Sequence, residues 1–413
     1  MLAILRNPTY AKLFSAQIIA LLGTGLLTIV LGLLAFEVAG SDAGIVMGLA
    51  MTIKMIAYVV MSPITTALVA RLPRKPVLIG ADLLRAAAAI LLPFVTEVWQ
   101  IYALIFLLQS ASATFTPMFQ AVIVSVLPDE GEYTRALSLS RLAYDLESLV
   151  SPMLATVLLT VISYHNLFVG TALGFLASAA LVIASRFPYI DPPAPARFFD
   201  RLTRGARVFW ASSDLRGLLG LHLVVATATA MVIVNTVVLV QNDLGRPQSD
   251  VALLLGTYGG GSMLVALGMP KLLESLPDRR VMFVGGIALL ILLVVAAGAI
   301  GWMSGAPQWT ALLVIWALLG AATSAILTPS SRLLRRNSDD GNRSAVFAAQ
   351  FSLSHACFLI TYPLSGALGA VIGLPAIALV LAGISILGMA FVLPSWCNNA
   401  GLTRHHLAVP SHG

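Results

Sequence analysis

The chain has 413 residues, 59% of them hydrophobic and only 10% charged, with a net charge of +6. A soluble domain carries about a quarter charged residues, so the composition excludes an ordinary water-soluble enzyme and describes a polytopic α-helical membrane protein. The basic excess would elsewhere raise nucleic acid as a partner, but here it sits in short loops between apolar runs, which is a topology signal.

Twelve stretches reach the roughly 20 residues needed to cross a bilayer. They lie near 11–36, 43–70, 77–95, 99–127, 134–162, 165–186, 215–241, 250–275, 281–301, 308–331, 343–372 and 374–394. The first is too long for a signal-peptide core and shows no cleavage site, so it reads as an uncleaved span. With the N-terminus inside, the inner segments hold 20 basic residues and the outer loops only Arg246. That bias predicts both termini in the cytoplasm, and a missed span would invert every later loop and destroy it.

Span 2 carries Lys54, 11 residues from its outer end, roughly 16 Å deep at the helical rise. It reads as a coupling or gating charge, or equally as half of a fixed salt bridge. Span 3 carries Asp82 and Arg85, three apart and near the inner side; a local ion pair is the first reading.

Span 5 is the most unusual segment. Its stretch LSLSRLAYDLESLVSPMLATVL holds Arg141, Asp145, Glu147 and Ser151-Pro152. Ionisable groups at membrane depth are costly unless paired or hydrated, so they point to function. Arg141 and Asp145 share a helix face and can pair, which leaves Glu147 as the titrating group. A carboxyl withdrawn from water can alternate between protonated and ionised forms. The alternative is that all three knit span 5 to its neighbours. Pro152 removes a backbone donor and predicts a bend.

Residues 187–214 form the long middle segment, in which Pro192, Pro193 and Pro195 predict a stiff extended piece. Phe198–Trp210 then reads as a basic amphipathic helix lying on the inner leaflet. The segment separates an N-terminal bundle (1–186) from a C-terminal one (215–394), with a tail at 395–413. The halves repeat at an offset of 204–212 residues. LLQSASATFTP matches LGAATSAILTP, PDEGEYTRA matches SDDGNRSA, Ser151-Pro152 matches Tyr362-Pro363, and LPRKPV matches LPDRRV. Such duplication marks one large transporter architecture. Ala356 and Phe358 stand opposite Asp145 and Glu147, so the acid pair is one-sided, as an ion site would be.

Neutral amides embedded in helices seek partners; Gln17, Gln109, Gln120, Asn235, Gln241 and Gln350 lie in or near spans. His222 and His355 read as packing residues or as proton or metal ligands. The run YGGGS at 258–262 permits close approach of span 8, as a gate or as packing. Cys357 and Cys397 are the only cysteines. They make no paired-cysteine site, and no metal-site or nucleotide-binding pattern accompanies them, so neither a cofactor nor a primary pump is expected.

These features together resemble the major facilitator superfamily over essentially the whole chain. The family's loop between spans 2 and 3 is matched by Arg71, Arg74 and Lys75 in TALVARLPRKPV, whereas Thr66, Ala70 and Pro73 depart from its Gly, Asp and Gly. The resemblance implies that these basic residues hold an inner gate, with Asp82 and Arg85 standing in for part of the missing acid. Span 5 keeps Ser151-Pro152-x-x-Ala155-Thr156, a weakened form of the antiporter motif, which leans toward export. Helices 1, 4, 7 and 10 line the cavity in the family, which favours Gln17, Gln109 and Asn235 there, joined by His355. AYDLESLVSP and IKMIAYV resemble an exporter group that includes nickel-resistance transporters, although the tail has only His405, His406 and His412.

The expected fold is therefore all-α: twelve transmembrane helices in two pseudo-symmetric six-helix bundles, with Pro152 and Pro363 as bends. The expected function is proton-coupled export of a cationic or amphipathic small molecule by a monomer in a bacterial inner membrane. The alternatives are a divalent-metal exporter and a non-transporting receptor or scaffold.

Overall fold

The computed structural model describes residues 2–39, 43–188 and 196–397, apart from the side chains of a few of these. The helices are α1 (Pro8–Ala39), α2 (Ala43–Val69), α3 (Arg74–Leu91), α4 (Val98–Val126), α5 (Glu130–Leu159) and α6 (Tyr164–Ala184). After α7 (Phe198–Ala211) come α8 (Ser213–Val237), α9 (Gln248–Ser275), α10 (Asp278–Trp302), α11 (Gly305–Arg336), α12 (Arg343–Ile372) and α13 (Leu374–Cys397). A π-helical turn, Val238–Asp243, extends α8. Continuous helix is what lipid demands, because no water is present to satisfy free backbone groups.

Eleven helices among the described residues are long and apolar enough to cross a membrane. The short α7 and the charged α5 are not among them. α5 carries Glu130, Glu132, Arg135, Arg141, Asp145 and Glu147, yet it packs between α1 and α9 and completes the twelve. The chain is thus an all-α, multi-pass membrane protein. Outward-facing apolar side chains such as Leu264 and Val371 stay exposed, as a lipid-facing surface requires.

Local signals set the helix ends. Asp129 Oδ1 accepts from the Glu132 amide at 2.7 Å to cap α5, and Ser212 caps α8 in the same way. α4 opens with a reciprocal Glu97–Gln100 box. Gly373, at φ +83°, ends α12 in a conformation that other residues rarely adopt.

Close crossings occur where small residues recur. Ser110–Thr114 of α4 are buried throughout, and Thr114 Oγ1 donates to Thr65 Oγ1 of α2 at 2.7 Å. In the second half a Cβ on Gly261 would strike the Ala317 carbonyl, and one on Gly320 would strike the Tyr258 carbonyl. Gly261 and Gly320 therefore let α9 and α11 touch backbone to backbone.

The middle segment is not held by the leaflet alone. α7 docks onto the end of α12: Gly205 lies against the Ala345 carbonyl and Phe209 is fully buried. Phe199 and Trp210 remain exposed. The missing side chain of Gly205 allows this approach, and the helix period then aims Phe209 inward. The proline stretch 189–195 and the tail histidines lie outside the described residues.

Candidate functional site

The bundle has one end rich in basic loops and an opposite end bearing Glu37, Asp243 and Asp250. At the basic end the halves are clasped together. Arg332 Nη2 of α11 pairs with Glu130 Oε1 of α5 at 2.8 Å, and Arg336 pairs with the same carboxylate. Asp278 Oδ2 of α10 takes Arg336 Nη1 at 2.6 Å from the other side. Arg335 donates to the Pro128 carbonyl and covers the Tyr133 ring at 5.1 Å.

A second seam joins α2 to α12. Ser352 Oγ donates to the Val59 carbonyl at 2.5 Å and Ser62 Oγ to the Ala348 carbonyl at 3.3 Å.

At mid-depth a three-member network joins α5 to α9. Arg141 Nη2 pairs with Asp145 Oδ1 at 2.8 Å. Ser262 Oγ of α9 donates to Asp145 Oδ2 at 2.6 Å, and Arg141 Nε donates to Ser262 Oγ at 3.0 Å. Asp145 thus has both an arginine and a hydroxyl. Among the described residues, the hydrogen bonds and ion pairs that cross between the halves lie between this level and the basic end.

Beyond that level no hydrogen bond or ion pair among the described residues joins the halves, and the partly exposed Lys54, Tyr144, Glu147 and His355 mark a cleft between them. Glu147 of α5 and Lys54 of α2 are the opposite charges that act on each other there. Glu147 Oε1 and Ser151 Oγ both lie against Gly25 of α1, in space a side chain would occupy. Tyr144 is 39% exposed although it interacts with Gln17 and feels Tyr58 and Glu147; its exposure is therefore to the cleft and not to lipid.

The opposite wall is aromatic. Phe351, His355, Phe358 and Tyr362 follow one face of α12, with neighbouring ring centroids 4.2, 5.9 and 5.3 Å apart. Tyr58 crosses from α2 to meet Phe351 at 4.9 Å and His355 at 4.8 Å. Lys54 Nζ stands 5.8 Å from the centre of the same tyrosine ring, within cation–π range.

The amides divide by role. Gln109 Oε1 accepts from Tyr58 Oη at 2.9 Å, and Gln17 Oε1 accepts from Ser140 Oγ at 3.0 Å. Both are buried behind the cleft and orient its tyrosines. Asn235 Nδ2 donates to Ser365 Oγ at 2.7 Å, so it ties α8 to α12 inside the second half and does not line the cleft. His355 Nδ1 lies 2.7 Å from the Phe351 carbonyl, within electrostatic reach of the buried His222.

The basic loop also divides. Arg74 Nη2 donates across the halves to the Asp340 carbonyl at 3.3 Å, and its Nη1 to Ser125 Oγ at 3.0 Å. Lys75 Nζ instead closes α6 by donating to the Ile183 and Ser185 carbonyls at 2.6 and 2.9 Å. Arg71 stands exposed. Asp82 and Arg85 pair inside the first half, with the guanidinium between Phe115 and Phe175 at 4.2 and 4.6 Å. This pair does not reach the clasp. α12 continues as helix through Pro363. α5 is helical through position 152, where the proline side chain lies outside the described residues.

Tyr58, Tyr144, Ser262, Glu130, Arg332, Arg336 and the α12 aromatics join the site only in three dimensions. Of these, the aromatic spacing in span 11 and Tyr58, four residues after Lys54, were signals present in the sequence.

Two six-helix halves that meet at a clasp and part at a charged cleft define a membrane carrier. The chain belongs to the Major Facilitator Superfamily, whose family model matches residues 13–219 and 218–398. This sets it among transporters and not enzymes. Macrolide efflux protein A of Streptococcus pyogenes is 27% identical over 184 residues, covering 43% of this chain and 45% of that protein. The chain thus matches less than half the length of that curated relative.

Two solved structures share the fold. The human organic anion transporter MFSD10 (TETRAN) has a TM-score of 0.78 at 14% identity, covering 94% of this chain and 99% of that one. FucP in the outward conformation has a TM-score of 0.71 at 15% identity, covering 94% and 98%.

Proposed function

We propose that this protein is a proton-coupled exporter of cationic or amphipathic organic molecules. It works by alternating access, with the basic end and both termini in the cytoplasm of a bacterial cell. The orientation is supported by the basic loops. In that orientation the clasp closes the cytoplasmic side and the cleft faces outward.

The observation that carries the reading is the position of Glu147, against Gly25 and within electrostatic reach of Lys54, in the cleft beyond the last polar contact between the halves and beside an aromatic wall. Asp145 is engaged by Arg141 and Ser262, whereas Glu147 is the acid that a substrate can reach. A carboxylate here attracts a cation, and the α12 rings supply apolar and cation–π contact for its body. A proton and a cationic substrate compete for one carboxylate. Protonation on the outer side releases the substrate, and deprotonation on the inner side readies the site for the next, which gives exchange. Arg74 and the Arg332–Arg336–Glu130 clasp form the inner gate. Gln17 and Gln109 act as positioning residues behind Tyr144 and Tyr58.

The macrolide efflux relative supports the substrate class, since macrolides are bulky amphiphiles. The alternative of a divalent-metal exporter rests on the wording of spans 2 and 5. Among the described residues no group of three or more His, Cys, Asp or Glu could hold a metal ion.

The test is transport in reconstituted vesicles with ethidium and an amine-bearing macrolide under an imposed pH gradient. Uptake that needs the gradient and stops with a protonophore is expected. Uptake indifferent to the gradient would remove proton coupling, and movement of nickel with neither organic probe would favour the metal reading.

A further inference from the structure

A cavity of about 670 Å³ lies at the basic end, away from the cleft, and is bounded by α2, α4, α7 and α12. It touches both halves and the middle segment. Its lining holds five basic residues, Arg74, Lys75, Arg186, Arg201 and Arg204, against one acid, Asp340. Lys75 is occupied by carbonyls of α6 and Arg74 by Ser125 and Asp340. Arg201 differs: its Nε is buried with no hydrogen-bond partner among the described residues. A buried donor without a partner is costly and marks where a ligand acceptor fits.

The rest of the wall is apolar, including Pro63, Leu72, Met118, Phe187 and Leu202. The level of the cavity follows from its neighbours. Leu72 at its mouth and Phe199 and Trp210 on α7 are all exposed, as amphipathic elements at a headgroup boundary are. A small soluble anion would satisfy the arginines but not the apolar wall.

We propose that this cavity binds the phosphate-bearing headgroup of an anionic phospholipid, with the start of its acyl chains against the apolar wall. The lipid bridges α2 and α3 of the first half, α7, and α12 of the second, and so favours the state in which this end is closed. Arg201 Nε and Arg204 are the principal phosphate donors.

The test is native mass spectrometry of the full-length protein in neutral detergent, titrated separately with phosphatidylglycerol, phosphatidylcholine and inorganic phosphate. Phosphatidylglycerol should be retained about tenfold better than phosphatidylcholine. Arg201→Gln with Arg204→Gln should lower that retention about tenfold, and Arg204→Gln alone should lower it in the same direction if the double variant does not fold. Arg207→Gln, on the exposed side of α7 beside Asp200, should leave it unchanged. Equal retention of the two lipids, or equal losses in all the variants, would overturn the proposal. Binding of inorganic phosphate without phosphatidylglycerol would assign the cavity to a soluble anion and overturn it too.

Discussion

Ser262 Oγ, on the second half, donates to Asp145 Oδ2 on the first at 2.6 Å, and accepts from Arg141 at 3.0 Å. The Arg141–Asp145 pair is therefore more than a local i,i+4 bridge within α5. Its hydrogen bonds to Ser262 are the polar bonds between the halves that lie farthest from the basic end, and this end of the molecule cannot open while they hold.

Hydrogen bonds to charged groups contribute about 1.5–3 kcal/mol, and Ser262→Ala removes two of them without disturbing the ion pair. The expected outcome is a larger population open at the basic end. Distances between spin labels at Gly131 and Gly341 would measure it, and an unchanged distribution would show that the network does not help hold the halves closed.

Asp145→Asn acts differently, because it leaves Arg141 as an uncompensated charge at membrane depth. Breaking a buried pair from one side typically costs about 3–5 kcal/mol. The variant should be scarce or melt early, and Arg141→Gln in the same chain should partly restore it. Both quantities can be read by size-exclusion chromatography with thermal challenge. A stable single variant with no rescue would remove the pairing argument.

The clasp predicts a pH dependence. Burial opposes the charged form of Glu130, but Arg332 and Arg336 outweigh it and hold its pKa below the usual carboxylate range. When the clasp opens, the value returns toward about 4.3. A pKa lower in the closed state means that the contribution is complete above the ordinary value and is lost as pH falls through the depressed one. Acidification below about pH 4 should loosen the basic end, and Glu130→Gln should flatten that response. The same spin-label distances, followed against pH, would test this.

Gly320 sits where a Cβ would strike the Tyr258 carbonyl. Overpacking of this kind costs about 1–3 kcal/mol, so Gly320→Val should lower the melting temperature and separate α11 from α9. Gly256, with open space around its Cβ position, is the control: Gly256→Ala should leave melting nearly unchanged.

The helices were legible because periodicity, loop charge and the internal repeat all point the same way. α5 shows the value of the repeat, since its own composition argues against a span and its place in the duplication argues for one. The i,i+4 spacing also exposed the Arg141–Asp145 pair. Contacts between distant segments were not legible. Nothing in the chain says that Lys54 comes within electrostatic reach of Glu147, that Glu130 meets Arg332 some 202 residues away, or that Ser262 turns toward α5 while Gly261 turns toward α11. Asn235 shows the opposite failure: a polar residue on a cavity-lining helix that faces Ser365 instead, because helix number does not set helix rotation. Arg85 likewise is a charge in a span whose partners, Asp82 and two aromatic rings, lie within its own half.

The aromatic wall bears on affinity. Phe351→Ala removes a ring that touches both Tyr58 and His355, and aromatic contacts of this kind contribute about 0.5–1.5 kcal/mol beyond area burial. Binding of an amphipathic cation, followed by tryptophan fluorescence or calorimetry, should weaken several-fold while the pH dependence of transport keeps its shape. Unchanged affinity would move the substrate away from α12.

The central claim is that Glu147 carries the coupling proton. Glu147→Gln keeps size and hydrogen bonding but cannot release a proton. The deciding measurement compares gradient-driven transport with substrate counterflow for this variant in reconstituted vesicles. The account predicts that gradient-driven transport is abolished while counterflow exchange stays largely intact. Normal transport against a gradient by Glu147→Gln would contradict it.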